Sequence, residues 1–591
     1  MKRFLTLFIF IVFCAAVWLS ARAQENKQEE KPAAPKEQPY KLSVRTNLVL
    51  VPVVVTGRDG QHVTGLKQED FEVKEDGAVQ KIVRLDELSA DSGTLPPSSV
   101  EGNKFSNEMS GDHPKKLEII AIDQINTPFA NRADAQRGIL GFLQKNVDAN
   151  TLLALVAFRT DGVHVIHNFT ADPSILVAAV KKVQPVVDAR DTLTQNVTND
   201  LSQADIEAAQ IQALFSGGPI PGAISNAQAV LAARAAIDAG HAQVDSSRQT
   251  QGALITLECL QQVAQYFNGV PGRKSLIWAS SAFPFSTGSS ITDLTRGTTY
   301  NDWQQTFKVL QDSNVSVYPV DVSGLVPSAN INSLNALDSN AIRTSGPEGG
   351  VAARGAAMRG CLEEGRCIDY TEARHDTMRQ LADMTGGQPF YNSNNGAELF
   401  RRAAEDASQY YLLAYYTKPS AKPGWRKLSV KVHQDGTRVR SRSGFFFHNP
   451  DSDSETVRGA EEMMALDSEF DFRALPITGV WEQVERAGNQ RKVHFQLNIP
   501  PGVSTVEADN GNHISFDFRV AAKKAGGQVA ANIGQRLDTK LDKDAANQVQ
   551  TQGLGYANVL TLDPGEYKVH FVVRDNLRGA LGSIVVPLKV E

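Results

Sequence analysis

The sequence predicts an α/β protein, with a doubly wound, mainly parallel sheet set between an N-terminal β unit and a C-terminal β-sandwich. Three observations predict it. The runs at Leu117–Ile122 and Leu152–Phe158, and the stretch RKSLIWA at 273–279, read as strands buried on both faces, the usual state of parallel strands. Helical spacing separates them, as in Ala133, Ile139, Leu140 and Leu143 at intervals of three and four. Before residue 88 and after residue 423, strand-like segments follow one another through turns. At 591 residues the chain is too long for one core, and domains of about 100–200 residues make three or four units the expectation.

Taken in order, Lys2 and Arg3 precede an apolar run from Phe4 to Leu19 and a small-x-small site at Ala21-Arg22-Ala23. This reads as a signal peptide, residues 1–23. The alternative, an uncleaved membrane anchor, is disfavoured because the run is short for a bilayer span of about 20 residues, and no other segment is apolar enough to cross, so no membrane span is expected after cleavage. Residues 24–39 are polar and proline-bearing, a disordered linker. Residues 40–87 form the β unit, with strands in Leu42–Val55, Gln61–Val63, Asp70–Val73 and Gln80–Val83 around turns at Gly57–Gly60 and Glu75–Gly77. Residues 88–114 read as a linker. The α/β unit covers 115–418, with Pro173 opening a helix where proline suits, and with insertions at 184–250 and 325–368. Its last strand is Tyr410–Tyr416. The strands Lys427–His433 and Arg438–Arg442, paired around Gln434-Asp435-Gly436, are expected to complete the N-terminal unit as 424–447. A linker at 449–470 leads to strands over 471–591 whose spacing suits an immunoglobulin-like sandwich.

Composition limits the function. The chain is 41% hydrophobic and 21% charged, with net charge −6 and no basic stripe, which argues against nucleic acid as a partner. Cleavage after Ala23 leaves Cys259, Cys361 and Cys367. In an oxidising compartment a Cys361–Cys367 disulfide is the natural expectation, and Cys259 sits in an apolar helical pattern as a buried thiol. The destination is outside the cytoplasm: secreted, periplasmic or at the cell surface.

Four stretches carry a family resemblance: LVLVPVVVTGRDGQHVTGLKQEDFEVKEDG at 48–77, IIAIDQINTP at 119–128, PGRKSLIWASSAF at 271–283, and LADMTGGQPF with YYLLAYYT at 381–390 and 410–417. Together, and in this order, they resemble the von Willebrand factor A-related domain family, common in exported proteins of acidobacteria, over roughly 40–450. The resemblance implies a Rossmann-like A domain with strand order 3-2-1-4-5-6. It also implies binding of protein ligands, often through a divalent cation beyond the carboxyl end of the central strand, where open α/β sheets place their ligands. The family's metal pattern is Asp-x-Ser-x-Ser, a threonine from a middle loop, and an aspartate ending the fourth strand. Here Asp123 and Thr127 match, Ile125 replaces the first serine, and Ala279-Ser280-Ser281 lacks the aspartate. The middle threonine is Thr192 or Thr194. The implied Mg²⁺ or Mn²⁺ ligands are therefore Asp123, Thr127 and Thr192, a degenerate set for a hard cation, with Asn126, Asp191 or Asp321 as compensating groups. The bland alternative places Asp123 at the following helix's N-terminus, where the dipole favours a carboxylate.

Enzyme signals are weak. His375-Asp376 reads as a solvated helix face, His164 and His167 have no catalytic spacing, and Ser280-Ser281 lacks the glycines of a nucleophile elbow. The sequence contains no phosphate loop and no His-Glu-x-x-His. The expectation is an exported, non-catalytic binding module. Its face at Asp123, Asn126, Thr127, Ser281 and Asp321 would engage a protein or glycan, bordered by the two insertions. A metal-free scaffold of the cell envelope is the alternative, and a hydrolase is the third reading.

Overall fold

The apolar run Leu117–Ile122 becomes the middle of a five-stranded sheet in the computed structural model, which describes residues 48–88, 99–108, 116–127, 129–145, 147, 151–183, 251–270, 273–281, 300–324, 370–417, 424–447 and 454–591. Its strands run in the order Val315–Asp321, Arg273–Ser280, Lys116–Asp123, Leu152–Arg159, Gly162–Thr170. The first four pair in parallel and the last is antiparallel. Alternate side chains feed two cores. Leu117, Ile119, Leu276 and Trp278 meet Leu260, Phe267, Phe307 and Met378 on one face. Ile120, Ile122 and Ile277 meet Ile139, Phe142 and Phe400 on the other.

The chain as a whole is nevertheless not a doubly wound, Rossmann-like α/β protein. Among the described residues, strand exceeds helix by 46% to 28%, and the chain forms five sheets. Parallel pairs occur in one of these alone. The misassigned strand is Tyr410–Tyr416, expected to finish the parallel sheet. It instead pairs antiparallel with Leu48–Thr56 and Ile82–Leu88. Residues Pro389–Tyr391 contribute a single parallel bridge, between Val320 and Phe390.

Two further sheets, one ordered 438–441, 48–56, 410–416, 82–88 and the other 444–447, 424–432, 71–75, 78–80, enclose a core of Val51, Val53, Phe71, Tyr411, Leu413, Tyr415 and Leu428. Tyr411 pins the loop before Gln68 by donating to the Val63 carbonyl and accepting from the Leu66 N–H, both at 3.0 Å.

The last two sheets share a core of Phe495, Phe516, Phe518, Val569 and Phe571. Two expectations fail here. First, 99–106 lies within the supposed linker but forms a hairpin whose second strand pairs with Thr478–Ala487, so residues 471–591 are not a self-contained immunoglobulin-like unit. Phe105 stacks on Phe571 at 4.8 Å, and it packs where a Cβ on Gly479 would lie, 2.2 Å from its ring. Second, Glu455–Asp467 of the expected 449–470 linker is a helix, N-capped by Ser454 Oγ accepting from the Val457 N–H at 3.3 Å. Glutamates face inward on this helix. Glu461 pairs with Arg574 at 2.9 Å and accepts from Gln305, and Glu462 pairs with Arg519. Those inward acids masked its apolar period.

The signal peptide 1–23, the 24–39 linker, the insertions 184–250 and 325–368, Asp191, Thr192, Thr194 and the Cys361–Cys367 pair lie outside the described residues. Cys259 is a buried free thiol, raised well above its ordinary pKa by burial. No helix among the described residues is long and apolar enough to cross a membrane.

Candidate functional site

Parallel pairing brings Asp123, Ser280 and Asp321 to the same end of the central sheet. The turn after Asp123 is built on its carboxylate. Oδ1 accepts from the backbone N–H groups of Ile125 and Asn126, both at 2.9 Å. Oδ2 accepts from Ser280 Oγ at 2.7 Å and Asn126 Nδ2 at 2.8 Å. Asn126 Nδ2 also donates to Thr256 Oγ1 at 2.8 Å. That contact needs a close helix approach, since a Cβ on Gly252 would lie 3.1 Å from Asn126 Oδ1. Burial pushes the Asp123 carboxyl above its ordinary pKa against the pull of its hydrogen bonds from Asn126, Ser280 and Ile125.

The other expected residues form a second hydrogen-bonded group at the same sheet end. Thr127 Oγ1 accepts from the Ser281 N–H at 3.3 Å, and Ser323 Oγ donates to the Ser281 carbonyl at 3.3 Å. Asp321 Oδ1 accepts from the Ser323 N–H at 2.9 Å. Its Oδ2 meets His375 Nε2 at 3.2 Å. His375 is buried and stacks on Tyr391 at 4.0 Å, so the solvated-face reading of His375 is wrong.

The five residues are thus assembled, but the open rim expected of them is not. Asp123 is 0% exposed, Asp321 1%, Thr127 2% and Ser281 4%. Asn126 alone is half-buried. Asp123 itself is arranged for protein donors. A carboxylate offers about four lone-pair sites, and all four at Asp123 face protein donors, so this carboxylate has no lone pair directed to the oxygen ligation of Mg²⁺ or Mn²⁺. Among the described residues no cluster of three or more His, Cys, Asp or Glu is disposed around a common point.

A second place went unread in the sequence. A cleft of about 1050 Å³ opens over strands 48–56 and 438–441. Val54 and Thr56 form its floor beside their register partners Arg440 and Arg438. Arg401, Arg402, Glu405 and Asp406 of helix Gly396–Asp406 form a wall, and the 59–62 loop, Gln388 and Phe390 close the sides. The helix ends in Glu405 and Asp406, against its dipole. Arginines offset this: Arg440 reaches Asp406 and Gln388, while Arg401 binds Glu398 at 2.7 Å and also Glu405. Glu398 and then Glu405 hold Arg401 above its ordinary pKa. Arg402 lies over the Phe390 ring at 5.2 Å. The cleft joins the 54–62 segment to residues between 388 and 440, far along the chain, so no local motif marks it. The one signal was Arg438-Val439-Arg440, two arginines on one face of a strand.

No family model matches the chain, and neither does any curated relative. Among solved structures, it is similar at 9% identity to the ArnB paralog VWA2 from Sulfolobus acidocaldarius, covering 88% of this chain and 76% of that one with TM-score 0.19. Three N-terminal domains of the type V pili tip protein Mfa5 from Porphyromonas gingivalis match at 8% identity, covering 86% and 96% with TM-score 0.21. A Bacteroides uniformis β-glucuronidase matches at 9% identity over 31% of this chain, with TM-score 0.13, and the chain spans 19% of that enzyme.

Proposed function

We propose that the protein is an exported, non-catalytic binding protein whose recognition surface is the cleft over strands 48–56 and 438–441. The observation that carries this reading is where the polar groups face. The carboxylates at the end of the central sheet are spent on internal hydrogen bonds, whereas the cleft is roomy, open and carries exposed arginines. The N-terminal apolar run and its Ala21-Arg22-Ala23 site support export. The resemblance of 48–77, which supplies the cleft floor and loop, to the von Willebrand factor A-related family supports binding of a macromolecule over turnover of a substrate. A Cys361–Cys367 bridge belongs to the same reading of an oxidising compartment.

The test is capture of partners from an extracytoplasmic extract by the full chain and by Gln61→Trp, which plugs the cleft mouth from an exposed position. A partner retained by wild type and lost by the variant is the expected result. Equal capture by both overturns the assignment.

A scaffold role in the envelope is the second reading. It is favoured by the ion pairs Glu461–Arg574 and Glu462–Arg519, which tie helix 455–467 to the C-terminal sheet. Association that is indifferent to Gln61→Trp supports it over the first reading.

A further inference from the structure

We infer that the cleft takes an acidic peptide segment, bound through Arg402 on the wall and Arg438 on the floor; this rests on the cleft being the recognition surface. The cleft already holds arginine–carboxylate pairs, and they are complete: Arg401 with Glu398 and Glu405, Arg440 with Asp406. Asp59 Oδ1 is turned to the Gln61 N–H of its own loop at 3.1 Å. Arg402 and Arg438 remain, both exposed, and among the described residues neither forms an ion pair.

These two are suited to incoming carboxylates for a physical reason. A guanidinium presents a planar fork that fits a carboxylate through two hydrogen bonds. The Phe390 ring beneath Arg402 already restricts that side chain, so less freedom is lost on pairing. One guanidinium on the helix and one on the strand select a ligand with at least two separated carboxylates. A lone inorganic anion would leave most of about 1050 Å³ unfilled. A neutral peptide would leave both cations unmatched.

A peptide also fits better than a sugar chain. Sugar rings are usually held on an exposed aromatic face. Of the two ring-bearing residues lining this cleft, Phe390 is 4% exposed and covered by Arg402, and the other is the small polar imidazole of His62. In its place are amide and hydroxyl groups of Gln61, Gln388, Ser408 and Gln409, which match peptide N–H and C=O groups.

The experiment is fluorescence anisotropy of a short labelled peptide alternating glutamate and serine, titrated with the full chain. A glutamine–serine peptide and a sulfated polysaccharide serve as competing probes. The glutamate peptide is expected to bind, weakening on added salt. Arg402→Gln and Arg438→Gln are each expected to weaken it about tenfold, with the melting temperature held because both positions are exposed. Equal binding of the glutamine peptide, preferential binding of the polysaccharide, or affinity unchanged in both variants overturns the inference. No binding of the acidic peptide, with partner capture still blocked by Gln61→Trp, overturns the ligand class and leaves the surface standing. Capture that Gln61→Trp does not affect removes the surface itself.

Discussion

Asp123→Ala tests whether the acid at the end of the central strand is structural. The substitution removes the acceptor that the N–H groups of Ile125 and Asn126 and the Ser280 hydroxyl share, in a site that is 0% exposed at its centre. Asn126 Nδ2 keeps Thr256. A stranded buried donor costs about 1–3 kcal/mol. The Ser280 hydroxyl can rotate to another acceptor, and neighbouring losses are not additive, so the expected destabilisation is about 3–5 kcal/mol. Asp123→Asn keeps one acceptor oxygen and turns an amide toward Ser280 and Asn126, so about 1–2 kcal/mol is expected for it. The assay is urea unfolding followed by tryptophan fluorescence, because buried Trp278 lies two residues before Ser280 in the same sheet. The midpoint should fall at an unchanged slope. Millimolar Mg²⁺ or Mn²⁺ should leave wild type and variant unmoved. A loss under about 1 kcal/mol in Asp123→Ala, or a cation-dependent rise in wild-type stability absent from the variant, refutes the closed network.

Two buried bases give a pH dependence whose sign can be worked. Burial lowers His570 from its ordinary 6.5 to about 4. Between those values the unfolded chain binds more protons than the folded one, so stability rises with pH across the window and is lost on acidification. The loss is at most about 3 kcal/mol, and His570→Phe should flatten that limb of a stability-versus-pH curve. Burial likewise lowers Lys274 from 10.5 to about 7, its ammonium donating to the Val270 carbonyl at 2.7 Å. Here too the unfolded state holds more protons between the two values, so wild-type stability climbs as pH rises from about 7 toward 10. Lys274→Met removes the buried charge and is expected to stabilise by about 2–4 kcal/mol near neutral pH. Its advantage should shrink in alkaline solution, and a gain independent of pH would show that the lysine is not held in a dry site.

The sequence was legible where a local pattern has one structural meaning. The runs at 117–122, 152–158 and 273–279 are strands buried on both faces, and the hydrogen-bonded cluster around Asp123 was reachable because parallel strands align their carboxyl ends. It misled where the same pattern has two meanings. Tyr410–Tyr416 is as apolar as a central parallel strand, yet it is buried because antiparallel neighbours 48–56 and 82–88 flank it within a two-sheet unit. Hydrophobicity reports that a strand is covered, and says nothing about which strand covers it. The acidic residues show the same ambiguity in reverse. Asp123 reads as site chemistry and Glu461 and Glu462 fall in an expected linker, because ionised groups are rarely buried, but each meets a donor or cation from a distant segment: Ser280 for Asp123, Arg574 for Glu461, Arg519 for Glu462. A buried carboxylate is stable when its partners arrive through tertiary folding, and those partners lie from 57 to 157 residues away. The cleft escaped for that reason as well. Arg402 and Arg438 acquire a common purpose only after helix 396–406 settles beside strands 48–56 and 438–441. The proposed recognition surface is therefore a product of tertiary arrangement, and under that proposal variants that loosen this packing should cost binding before any direct contact is removed.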